Sequence, residues 1–226
     1  MICLATNVQA ACDDPPAPDV NWNGCDKAGI NLSGVDLRDA ILTRMNLSGA
    51  DLSQARMNGV DLNFSNLQGT NFTGATLKKS RLVGVDAQQA NFSQARMNES
   101  RLSRANLKQA NFDQATLDKA GFYEAKAKQV SFKKARMTEV NLKRAKLYAA
   151  VFDEADASLA DFSSADMEAT SLKNTNLTKA KLDQGNLTDA NFTGANLTKA
   201  SLREAVIDGA VFDQANLSDA NWANYR

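Results

Sequence analysis

The feature that most constrains this chain is a five-residue repeat that extends from residue 20 to residue 222. In the column formed by residue 22 and every fifth position to 222, 37 of the 41 residues are large and apolar. The departures are Lys27, Ala87, Ala127 and Ala157. Two places earlier in each repeat, 25 of 41 residues are alanine, and the other three columns are mainly polar. Because the register never slips, the chain has no insertion large enough for a separate domain or an active-site loop.

A period of five residues matches neither an α-helix nor a flat β-strand. One large and one small inward residue in every five instead predict a chain that turns a corner after each repeat. Ten of the twelve glycines lie two places after the large residue, where a type II turn needs a positive φ. No glycine occupies that column between residues 84 and 194. We therefore expect a different turn, or a mixture of turns, in the middle of the molecule.

Four corners close a square, which predicts a second period of twenty residues. When the central residues are sorted by this period, seven of the nine central phenylalanines fall in one column. The seven are Phe72, Phe92, Phe112, Phe132, Phe152, Phe192 and Phe212. We expect them to form a stacked ladder inside one face of the molecule.

Repeats such as Ala50-Asp51-Leu52-Ser53-Gln54 and Ala190-Asn191-Phe192-Thr193-Gly194 resemble the A(D/N)LXX signature of pentapeptide-repeat proteins. The resemblance covers almost the whole chain. It implies an all-β fold, a right-handed quadrilateral parallel β-helix. About ten four-sided coils, each rising about 4.8 Å, would make a rod about 50 Å long. We expect residues 20–226 to form this single domain, preceded by a proline-rich, non-repeating segment at residues 1–19.

The N-terminal segment allows two interpretations. Val8-Gln9-Ala10-Ala11 resembles a signal-peptidase site, so the segment is either the remnant of a signal or a simple tail. Cys12 and Cys25 are either two reduced thiols or a disulfide that pins the segment over the first coil, which requires an oxidising compartment. An N-terminal cysteine, two prolines and a second cysteine before the repeats resemble exported family members, which favours the disulfide and leaves Cys3 over. The predicted location is therefore periplasmic or otherwise exported, with the cytoplasm as the alternative.

At the other end, Trp222 fills the last central position and Tyr225 the next small-residue position. They either cap the rod or form a dimer interface together with Val206 and Val211. Gyrase-directed members of the family dimerise through a C-terminal module, for which Arg226 leaves no room. We expect a cap, and a monomer or a weak end-to-end dimer.

The 26 basic and 26 acidic side chains balance overall but are segregated along the chain. Residues 76–146 carry 16 basic and six acidic side chains, whereas residues 147–170 carry six acids and no base. The candidate residues for binding an anion or an acidic partner in this basic belt are Arg96, Arg101, Arg104, Arg136, Lys143 and Arg144. The alternative is a solvated surface that keeps the rod from aggregating.

The chain has no histidine, and its three cysteines all precede residue 26. It shows no nucleophile and base pair, metal cluster or phosphate-binding loop. We therefore expect no enzyme, no catalytic residue, no metal, no cofactor and no small-molecule substrate.

The predicted function is a non-catalytic β-solenoid scaffold or binding module that presents flat faces to an unknown protein partner. The family resemblance implies an alternative, a DNA mimic that interacts with the topoisomerase gyrase. The neutral charge and the basic centre argue against the alternative. Nucleic acid itself is not an expected partner, and no segment is apolar for long enough to cross a membrane.

Overall fold

The computed structural model describes residues 11–223, which form a continuous β-solenoid. Each strand is a single residue, and every fifth residue from Asn21 to Asn221 forms a parallel bridge with the residue twenty positions away. Within the described residues there is no helix and no longer strand. One coil is therefore twenty residues, and four pentapeptides form its four faces.

Backbone hydrogen bonds follow the same twenty-residue register. The central residue donates to the next coil, as from Leu52 N to Asn71 O at 2.7 Å, and the residue before the centre donates to the previous coil, as from Asn71 N to Ala50 O at 2.9 Å. Most corners are closed by a bond such as that from Ala55 N to Leu52 O at 3.2 Å. At the corner after Leu42, the N–H of Met45 instead donates to Ser65 Oγ at 3.0 Å. Every coil thus depends on both neighbours, as in other solenoids.

The corners share one backbone conformation along the whole rod. Every fifth residue from Asp19 to Asp219 has a positive φ, between 63° and 74° at the glycines and between 53° and 61° at the other residues. The expectation of a different or mixed turn in the glycine-free middle is therefore wrong. The left-handed conformation costs a non-glycine residue only about 1–2 kcal/mol, and the corner and inter-coil hydrogen bonds hold it in place.

The phenylalanine column forms a ladder of stacked rings along one inner face. Ring centroids are 4.7 Å apart for Phe72 and Phe92 and for Phe92 and Phe112, and 4.8 Å apart for Phe192 and Phe212. Phe112 to Phe132 and Phe132 to Phe152 are 5.1 and 5.0 Å. These spacings match the distance between neighbouring strands, so ring stacking and the β-bridges reinforce one another.

Two further phenylalanines enter the core from the opposite face. Phe122 meets the rings of Phe112 and Phe132 edge-on, at 5.7 Å from each, and Phe162 meets Phe152 at 5.6 Å. The pentapeptide beside each has alanine as its central residue, at positions 127 and 157. Two of the four departures from the apolar column therefore compensate in volume for a neighbouring large ring.

The N-terminal segment covers the first coil. A disulfide joins Cys12 to Cys25, with the Cα atoms 5.6 Å apart. Trp22 is buried beneath this segment and donates from Nε1 to the carbonyl oxygen of Asp14 at 3.2 Å. Lys27, the polar departure from the central column, places its ammonium 4.3 Å from the centre of the Trp22 ring. The first coil is thus sealed by a covalent bond, a hydrogen bond and a cation–π contact.

At the C-terminal end, Trp222 packs edge-on against Phe212, with ring centroids 5.2 Å apart. Tyr225, the other predicted cap residue, lies outside the described residues. Val206 and Val211 are exposed.

Replacing either of two serines in one inner column by alanine is expected to change the stability in opposite directions. Ser80 and Ser100 are both fully buried; Ser80 Oγ donates to the carbonyl oxygen of Met57 at 2.8 Å, whereas Ser100 Oγ has no hydrogen-bond partner within the described chain. Replacing Ser100 by alanine should raise the free energy of unfolding by about 1 kcal/mol, and Ser80→Ala should lower it by about as much. Urea unfolding of both variants provides the comparison, and equal destabilisation would contradict it.

Candidate functional site

The six basic residues predicted from the sequence are all exposed, but they do not converge. Arg96 and Arg136 lie in one column two coils apart, with Thr116 bridged between them. Arg101 lies on the next face, and Lys143 lies on that face two coils further along. Arg104 and Arg144 lie in the corner column that follows. The residues therefore occupy two faces and a corner rather than one site.

Four of the six also have acidic partners. Arg136 Nε lies 2.9 Å from Asp118, and Lys143 Nζ lies 3.8 Å from Asp161. The other two predicted residues share one carboxylate: Arg104 lies 3.1 Å and Arg144 3.7 Å from Glu124.

The hydrogen bond from Arg104 holds the pKa of the Glu124 carboxyl below its ordinary value, and a hydrogen bond from Tyr123 and the charges of Arg104 and Arg144 add to the effect. This corner therefore keeps a single net positive charge. In contrast, Arg96 and Arg101 have no ion pair among residues 11–223.

A denser group of cations lies on the adjoining face and was not among the predicted site residues. We name it the lysine patch, and it consists of Lys108, Lys126, Lys128, Lys146 and Tyr148, all exposed. Lys126 and Lys146 are directly bridged in parallel, and Lys108 and Lys128 are stacked by the same twenty-residue register. The ammonium of Lys128 lies 4.6 Å from the centre of the Tyr148 ring.

Several stacked charges on the rod alternate in sign, although Arg81 on Arg101 and Lys179 on Lys199 are like-charged stacks as well. In one corner column Lys79 lies 4.0 Å from Glu99, and Lys119 lies 3.8 Å from Glu139. In the lysine patch lysine is stacked on lysine, and like charges directly opposite each other on neighbouring strands are destabilising. Of these cations, Lys146 pairs with Asp166 at 3.8 Å. The patch thus carries uncompensated positive charge that an anionic partner would neutralise.

An open groove borders the patch at the corner that carries Arg144. It has a volume of about 540 Å³ and is lined by Glu124, Lys126, Arg144, Lys146 and Ser164. Because it is shallow and open to solvent, it suits a side chain of a docked macromolecule better than an enclosed substrate.

The backbone of the corners explains what Asp and Asn do in the repeat. The residue just after the central residue has an N–H that no backbone carbonyl of the described chain accepts. At most corners with Asp or Asn just before the centre, that side chain accepts the bond, as from Ser53 N to Asp51 Oδ1 and from Ser33 N to Asn31 Oδ1, both at 3.0 Å.

Where the position before the centre holds another residue, an Asp or Asn of the preceding coil can replace it. Arg136 stands at that position in its repeat, and the N–H of Thr138 is instead accepted by Asp118 Oδ1 at 3.2 Å. In the same way, the N–H of Lys133 is accepted by Asp113 Oδ1 at 3.0 Å. A carboxylate from outside the repeat can therefore occupy this position.

The repeats of Lys128 and Tyr148 in the lysine patch have neither arrangement. Lys126 and Lys146 stand before the centre, and the residues in the preceding coil are Lys108 and Lys128. In the part of the chain that the structure describes, the backbone N–H groups of Lys128 and Tyr148 have no acceptor. The N–H of Lys108, which follows Asn106 and Leu107, also has no acceptor among the described residues, so the patch combines four ammonium groups with three free peptide donors.

At two of the predicted site residues, an arginine likewise stands where most repeats have Asp or Asn. Arg96 and Arg101 stand before the centre, and the N–H groups of Asn98 and Ser103 have no acceptor among the described residues.

Counting charges along the sequence located the basic belt but not the lysine patch within it. Sorting the polar columns by the period of twenty would have placed residues 108, 126, 128 and 146 together.

Within residues 11–223, no group of three His, Cys, Asp or Glu residues could hold a metal ion. The described residues include no helix that could span a membrane.

The chain belongs to the pentapeptide-repeat family. Family models for a pentapeptide repeat region match residues 18–92 and 135–212, and a model for eight copies of the pentapeptide repeat matches residues 95–133. Members of the family form right-handed quadrilateral β-helices, so the chain is a repeat scaffold of that class. None of the curated proteins matches it significantly.

Solved structures of the family are similar over most of the rod. One is HetL, a pentapeptide repeat protein involved in heterocyst differentiation regulation from the cyanobacterium Nostoc sp. strain PCC 7120. It is 28% identical, covers 85% of this chain and 87% of its own, and gives a TM-score of 0.61. QnrB1, a plasmid-mediated fluoroquinolone resistance protein, is 14% identical, covers 86% of this chain and 92% of its own, and gives a TM-score of 0.50. The second likeness shows the shared fold alone.

Proposed function

We propose that this protein is a non-catalytic binding module that presents the flat sides of its solenoid to a protein partner in an exported, periplasm-like compartment. The observation that carries the proposal is the form of its surface. The described coils have no projecting loop, and the polar columns display charge on regular faces. Such a surface suits recognition of a macromolecule by charge and shape rather than chemistry on an enclosed substrate.

The compartment is supported by the covalent closure of the first coil. A disulfide between Cys12 and Cys25 persists where thiols are not kept reduced. Thiol titration of unreduced protein under denaturing conditions should find at most one free thiol, that of Cys3. Three titratable thiols would contradict the exported location.

A DNA mimic of the kind that interacts with gyrase would need a long acidic surface. Here the middle of the rod is basic, with 16 basic and six acidic side chains over residues 76–146. We therefore expect micromolar protein to leave gyrase supercoiling unchanged. Inhibition or protection of gyrase at that concentration would favour the gyrase-interacting DNA mimic over the binding module.

The proposed function is tested by crosslinking in the native compartment. A photo-crosslinking residue is placed at Lys128 in one variant and at Lys199, an exposed position on a different face, in the other. We expect one protein to be crosslinked specifically and reproducibly through at least one of the faces, and mass spectrometry to identify it. Recovery of only abundant proteins, equally from both positions, would contradict a binding module.

A further inference from the structure

We propose that the lysine patch binds an acidic segment of a partner protein, whose carboxylates accept hydrogen bonds from the backbone N–H groups of Lys128 and Tyr148. This inference rests on the proposed function and names the chemistry of the partner. Lys126 and Lys146 would neutralise the same carboxylates.

The fold itself demonstrates that a carboxylate suits this peptide donor. Asp51, Asp156 and Asp161 accept the corresponding N–H groups of their own repeats at 3.0 to 3.1 Å. In the patch a lysine replaces the acidic or amide side chain, and the same donor has no acceptor in the described chain. An aspartate or glutamate of a partner would restore the missing bond.

The charges favour the same occupant. Lys126 is joined to Lys146 by a direct parallel bridge. Because their like charges repel each other, the pair destabilises the folded protein. A carboxylate bound between them would turn this repulsion into two attractions. Hydrogen bonds from a peptide N–H to an ionised acceptor are also stronger than those between neutral groups.

The length of the patch favours a short acidic segment over a long polyanion. The patch covers three coils, about 10 Å from the first to the third at about 4.8 Å per coil. On the same face it is followed by Asp166 and Glu168, and it is preceded by Asp86. A nucleic-acid backbone that continued along the face would meet carboxylates at both ends.

The experiment compares two double variants that remove the same charges. In Lys126→Asn/Lys146→Asn, the new amides can accept the N–H groups of Lys128 and Tyr148, as Asn31 accepts that of Ser33. In Lys126→Gln/Lys146→Gln, the longer side chains leave those donors free. Lys179→Gln/Lys199→Gln is the matched control, because it removes two stacked, exposed lysines from a different face.

The readout is the affinity of each purified protein for a short poly-L-aspartate peptide, with single-stranded DNA as the second probe. We expect the Gln pair to weaken peptide binding, the Asn pair to weaken it about a further tenfold, and the control pair to bind like the unmodified protein. Equal losses for the Asn and Gln pairs would overturn the role of the peptide donors. Tighter binding of single-stranded DNA than of poly-L-aspartate would overturn the choice of partner.

The result remains separable from the proposed function. If crosslinking identifies a partner that the Asn pair still captures at full strength, this inference fails and the binding module stands. If poly-L-aspartate binds as expected but crosslinking in the native compartment identifies no specific protein, the proposed function fails instead.

Discussion

Replacing Phe112 by alanine is expected to lower the free energy of unfolding by about 3–5 kcal/mol. Phe112 is fully buried and has three aromatic neighbours. It stacks on Phe92 at 4.7 Å and on Phe132 at 5.1 Å, and meets Phe122 edge-on at 5.7 Å. The fixed inter-coil hydrogen bonds prevent the coil from collapsing into the cavity, so the loss should lie in the upper part of the range. Equilibrium denaturation in guanidinium chloride measures it.

The control for this variant is Phe64→Ala, which removes a phenyl ring that is 60% exposed at a corner. It should change the stability by less than about 0.5 kcal/mol. Similar losses for Phe64→Ala and Phe112→Ala would contradict the assignment of one ring to the ladder and the other to the surface.

The second large effect concerns the twenty-residue register. Deleting residues 92–111 removes one whole coil and joins Asn91 to Phe112, so each remaining bridge still pairs residues twenty apart. We expect this variant to fold and to unfold cooperatively, with somewhat lower stability because a solenoid adds stability with each repeat. Deleting Asn111 alone shifts every later residue by one position and should prevent a cooperative fold.

Circular dichroism and thermal unfolding of the two deletion variants measure this difference. The larger deletion is expected to be the milder one, since the number of residues lost matters less than the register. A fold that tolerates the single deletion as well as the coil deletion would contradict the assigned register.

The sequence predicted most of the fold because the inward columns depend only on size and polarity. The period of five placed the corners, and the period of twenty brought residues such as Phe72 and Phe92 into one stack. The turn prediction was wrong because glycine content measures the ease of a positive φ, whereas the conformation at residues such as Gln109 is imposed by hydrogen bonds to neighbouring coils.

The candidate site was harder to predict for a physical reason. A charge count along the chain adds residues from all four faces. It therefore grouped Lys143 with Arg96 and Arg136, although Lys143 lies on a different face from those two arginines. The free N–H groups of Lys128 and Tyr148 could not be inferred without the hydrogen-bond pattern of the corners. Once that pattern is known, a lysine before the central residue indicates a peptide donor without an acceptor in its own repeat.

The central claim, that the solenoid is a binding module whose patch accepts carboxylates through its corner amides, is tested most directly by nuclear magnetic resonance. Backbone amide shifts of isotope-labelled protein are followed while poly-L-aspartate is added. The amides of Lys128 and Tyr148 should move downfield and saturate together, while that of Ser53, already bound to Asp51, should remain unchanged. Unchanged amides at Lys128 and Tyr148 at saturating peptide, or uniform shifts around all four faces, would contradict the account.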